Sequence, residues 1–334
     1  MAVYYFPFSD ISNYNGLMMI KYLTFFALMG WGLTSLAQIK MNNFRIVDAE
    51  TKLPIPYVSI SLSRANVAMN TEQDGLLSIP GDLATFRDTV FIAAQNYLII
   101  KAPIRSLNGL DTIRLRKSAY RPPLITPSNT GTDTVLNKFN WRDVCFFAGV
   151  HTENARFSYL QMAQEFDVPV QGATLKQISI CRLAHMGLVR MSADGDVIIM
   201  NQEKYVQLEL TKFRLRFYDV DPRTGGPGRD IYTKVVEVSN KDDRNLKINL
   251  KEYSIIIPGK KFFVAVEWLR TFDNAGYAEY RSEQNLIYKP TLGMLPYATG
   301  KLKIWGLTYG HKWQPYTYYS PDWTDLAISA TVKW

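Results

Sequence analysis

Histidine and cysteine are scarce in this chain of 334 residues, which contains three histidines and two cysteines. Zinc sites draw most of their ligands from these two residue types, and a catalytic zinc needs three protein ligands beside one open position. None of the histidines is followed by glutamate at the third position, and the sequence has no Cys-x-x-Cys pair. We therefore expect no metal ion and no cofactor, and the sequence assigns no catalytic residue.

A concentrated basic patch is also missing. The 38 Lys and Arg residues exceed the 30 Asp and Glu residues and give a net charge of +8, but they are spread along the chain. Nucleic-acid-binding proteins gather such residues on one face or stripe. We therefore expect no nucleic-acid partner, and the mild positive charge favours at most a peripheral association with the outer membrane.

The apolar run near the start of the chain is too short for a stable membrane-spanning helix, which needs roughly 20 residues. Residues 23–33 form this run, which follows a lysine and precedes small residues that end at Ala37. That order is typical of a secretory signal peptide. The residues before Met18 do not fit it, so we predict a start at Met18 or Met19. Residues 1–37 are thus predicted to be a doubtful start plus a signal peptide, cleaved on export.

A proline-rich stretch divides the remaining chain. Three prolines fall among serine, threonine, asparagine and glycine in residues 118–134. This composition favours an extended backbone and cannot bury a core, so it predicts a linker. The linker separates a first segment, residues 38–117, from a second segment, residues 135–334.

Both segments have the periodicity of strands. Residues 58–62 and 213–217 alternate between apolar and polar positions, and residues 262–268 form a mainly apolar run typical of a central strand. The joining loops lack the helices that parallel crossovers need, which favours antiparallel pairing. Apolar residues spaced by about three in residues 155–166 predict one short helix. We therefore predict an all-β protein, with a small sandwich of six or seven strands followed by a larger jelly-roll-like antiparallel β-sandwich.

The first segment resembles a known family. Residues 46–51 read IVDAET, residues 54–58 read PIPYV and residues 70–76 read NTEQDGL. In order and spacing they resemble the carboxypeptidase-regulatory-like domain, whose pattern is V-x-D-x-x-T, then P-L-x-x-A-x-V, then T-D-x-x-G-x-F. Lys52 stands where that pattern has glycine, and Tyr57 where it has a small residue. Further departures are at Glu72 and Leu77.

The resemblance implies a seven-stranded transthyretin-like sandwich of the kind found at the N-terminus of exported Bacteroidetes proteins. It implies an accessory module that accompanies a peptidase and not the peptidase itself. Residues 213–268, which contain RFYDVD and KINLKEY, are similar to the second domain of exported carboxypeptidase-regulatory-like proteins. This second similarity bears on architecture only.

The two cysteines, Cys145 and Cys181, lie in apolar surroundings. In an exported protein they can form a disulfide, because the compartment is oxidising. The alternative is that both are buried thiols that pack as small apolar groups. The sequence leaves the two alternatives open.

Aromatic residues cluster near the C-terminus among glycines and prolines. Aromatic rings on loops can stack on sugars, while their polar tips form hydrogen bonds. The predicted ligand-binding residues are Tyr309, Trp313, Tyr316, Tyr318 and Tyr319. The alternative is that Trp305, Trp313 and Trp323 fill the core of the second sandwich while the tyrosines cap its edge.

These features predict a non-enzymatic exported protein of the cell envelope, located in the periplasm or at the outer membrane. It would bind a protein or a glycan through loops of its β-sandwich. An alternative hypothesis makes residues 135–334 a small outer-membrane β-barrel, because the last strand alternates and ends in Trp334. A third hypothesis is a hydrolase with a carboxylate pair that the sequence does not reveal.

Overall fold

The computed structural model of the protein describes thirteen ranges of the chain. They are residues 41–80, 87–128, 131–144, 146–151, 159–182, 189–191, 197–199, 210–240, 243–271, 274–280, 283–296, 301–317 and 323–334. The predicted signal peptide lies outside the described residues. Within these ranges, no helix is both long enough and apolar enough to cross a membrane.

The first segment folds into a sandwich of two small sheets, here called the first sandwich. One sheet has the strand order β4-β1-β7 and the other the order β3-β2-β5-β6. The strands are β1 (Met41–Asp48), β2 (Ser59–Leu62), β3 (Val67–Asn70), β4 (Leu76–Pro80), β5 (Thr89–Ala93), β6 (Ile100–Pro103) and β7 (Thr112–Leu115), with a 3-10 turn at Ile104–Leu107. Strand β1 pairs antiparallel with β4 and parallel with β7.

Branched apolar side chains fill the space between the two sheets. Ile46 of β1, Ile60 of β2 and Ile92 of β5 are almost completely buried in one cluster. In β1 the exposed Arg45 lies between the buried Phe44 and Ile46, as expected for a strand with one face on a core. The expected small sandwich is therefore confirmed, and the described residues of this segment supply seven strands.

Asp48, the aspartate of the first motif, closes the turn that follows β1. Its Oδ1 accepts hydrogen bonds from the backbone N–H of Glu50 at 2.8 Å and of Thr51 at 2.9 Å. The Tyr97 hydroxyl donates to Oδ2 at 2.9 Å, and the Lys117 ammonium lies 3.3 Å from the same oxygen. The Thr51 and Glu50 amides, with Tyr97 and Lys117, outweigh burial and lower the pKa of Asp48.

Thr71, at the start of the third motif, has its side chain buried between two backbone groups. Its hydroxyl accepts from the N–H of Val58 at 2.8 Å and lies 3.2 Å from the carbonyl oxygen of Ile55, to which it donates. Buried polar groups need such partners, because an unpaired one costs about 1–3 kcal/mol. The threonine thus ties the segment before β2 to the turn before β4.

Two motif positions adopt the left-handed backbone conformation. Gly75 has φ +74°, and a Cβ there would lie 2.7 Å from the carbonyl oxygen of Ile46. Lys52 has φ 62°. Because glycine adopts this conformation with little strain, the family's usual glycine suits the position that Lys52 occupies.

Replacing Gly75 by alanine tests this account of the motif. Gly75→Ala should lower the free energy of unfolding by about 2 kcal/mol or more, since the left-handed conformation costs about 1–2 kcal/mol and the Cβ also clashes. Gly109→Ala is the matched control, because Gly109 has φ +78° with nothing within 4 Å of its Cβ position. Urea denaturation of both variants measures the two losses. Equal losses would contradict the proposed clash with Ile46.

The linker and the second segment follow. Residues 119–128 contain no strand or helix, and β8 begins at the end of the predicted linker. The strands are β8 (Asp133–Leu136), β9 (Phe146–His151), β10 (Tyr159–Asp167), β11 (Thr174–Cys181), β12 (Val189–Met191), β13 (Val197–Ile199), β14 (Thr211–Val220), β15 (Pro227–Asp230), β16 (Val236–Asn240), β17 (Asn245–Asn249), β18 (Ile255–Ile256), β19 (Lys261–Trp268), β20 (Ala275–Tyr280), β21 (Glu283–Pro296), β22 (Ile304–Thr308), β23 (Trp313–Pro315), β24 (Trp323–Leu326) and β25 (Ile328–Lys333). Short 3-10 turns lie at Trp141–Asp143 and Lys251–Tyr253.

The described strands of the second segment lie in three sheets, here called the second sandwich. The central sheet has the order β15-β14-β19-β10-β22-β23, with β16 also paired to β14. A second sheet has the order β17-β11-β25-β8 with β18 on β11, and a third has the order β13-β12-β20-β21-β24 with β9 on β21. The strand pairs are antiparallel, as predicted, except for β12 with β20. The all-β class is confirmed.

The central sheet packs one face against the other two sheets. The apolar cluster between the central sheet and the other two sheets is here called the main core. Phe213, Leu215 and Phe217 of β14 point into it, together with Val264 and Val266 of β19. The alternation predicted for residues 213–217 therefore holds. The fold class follows from this pattern, since one apolar face of a strand must be covered by another layer.

The short helix predicted for residues 155–166 is wrong where the structure describes it. Strand β10 runs from Tyr159 to Asp167 and lies between β19 and β22 in the central sheet. Met162 and Phe166 face the main core, whereas Ala163 packs on the opposite face of the sheet. Both faces of β10 are buried, so its apolar residues do not alternate strictly, and their spacing mimics a helix.

Candidate functional site

The outer face of the central sheet, opposite the main core, is covered by the first sandwich. Asn70 at the end of β3 accepts a hydrogen bond at its Oδ1 from the backbone N–H of Arg270, at 2.8 Å. The Ser61 hydroxyl of β2 donates to the carbonyl oxygen of Tyr309 at 2.7 Å. These bonds are buried, so the two sandwiches are in direct and specific contact.

Tyr57 forms a second contact between the sandwiches. The ammonium of Lys212 and the guanidinium of Arg214 each lie 5.2 Å from the centre of its ring. Lys212 also donates to the Tyr57 hydroxyl at 3.0 Å, and Arg214 donates to the carbonyl oxygen of Pro56 at 3.3 Å. A ring face attracts cations through its quadrupole, and the attraction strengthens when water is excluded. Tyr57, a departure from the family pattern, thus serves the contact between the sandwiches.

A third contact joins the turn after β5 to the loop before β16. The Gln95 side-chain amide donates to the carbonyl oxygens of Tyr232 at 3.1 Å and Lys234 at 3.3 Å. The Asn96 side-chain amide donates to the carbonyl oxygen of Thr233. Together with the first two contacts, these bonds place the two sandwiches around a common cleft.

The cleft has a volume of about 630 Å³ and is lined by both sandwiches and by the linker. The first sandwich contributes Asn96, Tyr97 and Ile99, and the linker contributes Ser118 and Tyr120. The second sandwich contributes the floor and the opposite wall: Leu160, Gln161, Arg216, Tyr218, Arg229, Asp230, Glu267, Leu307, His311 and Trp313. A concave space of this size between two units is a common setting for a ligand site.

A buried ion-pair network forms part of the floor. Arg216 donates to both carboxylate oxygens of Asp230, with distances of 2.7–3.0 Å, and its Nη1 lies 3.3 Å from Glu267 Oε2. Burial acts to lower the pKa of Arg216, but Asp230, Tyr218 and Glu267 together raise it well above the ordinary value. The guanidinium therefore stays charged and holds both carboxylates in place.

Tyr218 lies beside this network. Its hydroxyl donates to Gln161 Oε1 at 2.7 Å, and the guanidinium of Arg216 lies 5.5 Å from its ring centre. Burial raises the pKa of Tyr218, so the hydroxyl remains protonated. Trp313 packs edge-on against the Tyr218 ring at 5.5 Å between ring centres.

His311 sits at the tip of the hairpin between β22 and β23. Its ring stacks on Phe91 of the first sandwich, with 5.3 Å between ring centres. Its Nε2 is buried and has no hydrogen-bond partner among the described residues. Burial lowers the pKa of His311 to about 4, with Glu267 opposing this effect and Arg216 adding to it. The imidazole is therefore neutral at pH 7.

A second depression of about 1170 Å³ continues the cleft toward the linker. The two depressions share Tyr120, Gly228, Arg229, His311 and Trp313. The second depression adds Arg121 and Pro123 of the linker, Lys312, and the loop from Asp219 to Thr224. The two together form one elongated groove, with Trp313 and Tyr120 where they meet.

The predicted aromatic residues have different positions. Trp313 lines the groove and is half-buried. Tyr309 is buried against Arg270, whose guanidinium lies 5.3 Å from the Tyr309 ring centre. Tyr316 is buried in the main core and packs edge-on against Tyr159. Of these three, Trp313 is the one whose ring lines the groove.

The remaining predicted site residues are not all covered by the structure. Tyr318 and Tyr319 lie outside the described residues. Trp305 and Trp313 pack on the outer face of the central sheet, so the alternative that they fill the main core is wrong for these two. Cys181 is buried, and burial raises the pKa of its thiol form to about 11. Its predicted partner Cys145 lies outside the described ranges, so the disulfide stays a prediction.

The sequence reasoning missed Arg216, Glu267 and His311. Two features of the sequence pointed to Arg216 and Glu267. Arg216 alternates with the core residues of β14 and so had to point away from the main core, and Glu267 is a lone acid in the apolar run of β19. A charge in such a strand predicts a partner, because burying it unpaired is costly.

Comparison with known proteins assigns no family or function to the chain. No family model and no curated protein matches the chain. In the part of the chain that the structure describes, no group of three or more His, Cys, Asp or Glu residues is placed to hold a metal ion.

The ion-pair network should contribute to stability. Arg216→Gln leaves Asp230 and Glu267 without their shared partner, and breaking a buried pair in this way typically costs about 3–5 kcal/mol of the free energy of unfolding. Arg223→Gln is the control, because Arg223 pairs with Asp221 at the surface. We expect no measurable change in the control by urea denaturation. A small loss in Arg216→Gln would show that water or a rearranged side chain replaces the guanidinium.

His311 predicts a pH dependence of stability. Its pKa is about 4 in the folded protein against an ordinary value of 6.5. Below pH 6.5 the unfolded chain binds a proton that the folded chain does not, so the free energy of unfolding falls until the pH reaches about 4. His311→Asn removes this contribution, and asparagine tolerates the φ of 53° at this position. Denaturation at pH 7 and pH 5 should show a smaller loss in the variant; equal losses would refute the assignment.

Proposed function

We propose that this protein is a non-catalytic glycan-binding protein of the cell envelope, and that the groove between its two sandwiches is the binding site. The observation that carries the proposal is the position of Trp313. Its half-buried indole lines the junction of the two depressions, within reach of both. Indole faces stack on the apolar faces of sugar rings, and flanking polar groups bind the hydroxyls.

The polar lining supports a ligand rich in hydroxyl groups. Asn96, Ser118 and Asp230 line the cleft with side-chain groups that donate or accept hydrogen bonds. The two depressions share lining residues and continue into each other, which gives space for a chain of several sugar units. A concave, walled site of this kind favours a glycan over the flat surface typical of a protein partner.

The same geometry favours binding over hydrolysis. Hydrolysis of a glycosidic bond commonly uses two carboxyl groups, one of which must hold a proton that it can donate. The two carboxylates that line the cleft, Asp230 and Glu267, are both bound to Arg216. Each carboxylate is thus engaged by the guanidinium, which fits a structural role in the cleft better than a catalytic one.

The proposal also includes the resemblance to the carboxypeptidase-regulatory-like domain and the predicted export signal. The motif residues Asp48, Thr71 and Gly75 have structural roles in turns, as expected for a pattern that specifies a fold. We propose that residues 42–117 are a carboxypeptidase-regulatory-like domain. Export to the periplasm or outer membrane rests on the signal-like residues 19–38.

A protein partner is the second candidate, and one observation favours it. Leu98 and Ile99, just before β6, are each 53% exposed, and Ile99 lines the cleft. Adjacent exposed apolar residues beside a groove can anchor a protein. Leu98→Ser would weaken such a complex while leaving glycan affinity unchanged, because Leu98 does not line the groove.

Glycan binding is tested with Trp313→Ala. A glycan array identifies a binder, and isothermal titration calorimetry then measures its affinity. The variant should bind about tenfold more weakly or worse, which corresponds to a stacking contribution of about 1.4 kcal/mol. Trp141→Ala is the control, because Trp141 is 40% exposed and does not line the groove. Equal affinity in both variants, or no glycan bound by the wild type, would overturn the proposal.

A further inference from the structure

The groove has an excess of unpaired positive charge at one end. Arg121, Arg229 and Lys312 line the second depression and are exposed to solvent. We call these three residues the cationic rim. Among the residues that the structure describes, none of the three has a carboxylate within salt-bridge distance.

The acidic residues of the same depression are already engaged. Asp221 Oδ1 accepts from the backbone N–H of Arg223 at 3.0 Å and lies 3.4 Å from its Nε. Asp219 Oδ1 accepts from the backbone N–H of Arg229 at 2.5 Å. Burial raises the pKa of Asp219, and the backbone N–H and the charge of Arg229 act in the opposite direction. Among the described residues, neither carboxylate forms a salt bridge with a member of the cationic rim.

Arg229 is placed to bind an anion. Its guanidinium lies 5.2 Å from the centre of the Tyr120 ring. Stacking on a ring uses the face of the guanidinium and leaves its N–H donors in the plane free for a carboxylate or sulfate. Arg121 donates to the carbonyl oxygens of Ser118 and Tyr120, which holds its charge at the same end of the groove.

We propose that the glycan bound in this groove is acidic, and that the cationic rim binds its carboxylate or sulfate groups while Trp313 stacks on a sugar ring. This inference rests on the proposed glycan-binding function and names its ligand class. Planar guanidinium groups bind both kinds of anion through paired N–H donors, so the two sources share one chemistry. The chain as a whole is only mildly basic, and the rim concentrates charge where the groove is open.

Calorimetry with three hexasaccharides tests the inference on the full-length protein. The probes are a neutral gluco-oligosaccharide, an oligogalacturonate and a sulfated heparin fragment. Either acidic probe should bind at least about tenfold more tightly than the neutral probe near 50 mM salt. The difference should shrink near 200 mM salt, since exposed charges are screened over about 10 Å or less. Comparison of the two acidic probes shows whether carboxylate or sulfate is preferred.

Matched variants distinguish an effect of the cationic rim from an effect of the overall positive charge. Arg229→Gln and Lys312→Gln should each reduce the preference for acidic over neutral probes about threefold or more. Arg105→Gln and Lys247→Gln remove the same charge elsewhere and should change nothing, since neither residue lines the groove. Equal effects in rim and control variants would overturn the inference.

The outcomes distinguish this inference from the function on which it rests. If neutral and acidic probes bind equally well and Trp313→Ala lowers the affinity for both, the proposal of an acidic ligand is overturned and glycan binding is still supported. Acidic probes binding equally well to Trp313→Ala and wild type would show nonspecific attraction to the rim and overturn both. A failure of all three probes and of the wider glycan array would also overturn both.

Discussion

The rest of the structure depends on charges that lie on a buried sheet face. Strand β14 points Phe213, Leu215 and Phe217 into the main core, so Arg214 and Arg216 must point outward. Both arginines are nevertheless buried, because the first sandwich covers that face. Burying a charge is unfavourable unless it is paired. Arg214 meets this requirement with Tyr57, Pro56 and Glu237, and Arg216 meets it with Asp230 and Glu267.

This constraint explains why the cleft is polar in its floor and aromatic at its edge. A sheet face covered completely by another layer would become apolar, like the main core. The first sandwich covers only part of the outer face and leaves an open space over Arg216 and Tyr218. The ion pairs hold the carboxylates of the floor, and the hairpin between β22 and β23 contributes His311 and Trp313 to the lining.

The sequence predicted the parts of the fold that depend on local pattern. Alternation in residues 213–217 predicted β14, and the motif residues predicted a small sandwich. The pattern failed at β10, where both faces are buried and apolar residues lose the period of two. Composition also does not show which tyrosines are buried, as Tyr309 and Tyr316 are. Packing between segments far apart in the chain decides such positions: Ser61 and Tyr309, which touch, are separated by 248 residues.

The position of the groove couples ligand binding to the contact between the sandwiches. Tyr97 and Ile99 belong to one wall, and Trp313 and Arg229 belong to the other. A ligand that touches both walls binds only when the sandwiches are docked, so it stabilises the docked arrangement by mass action. The buried bonds of Ser61, Asn70 and Gln95 already hold the sandwiches together without ligand. Because that docking is built into the chain, less of the binding free energy is spent on assembling the site, which is the advantage of a preorganised groove.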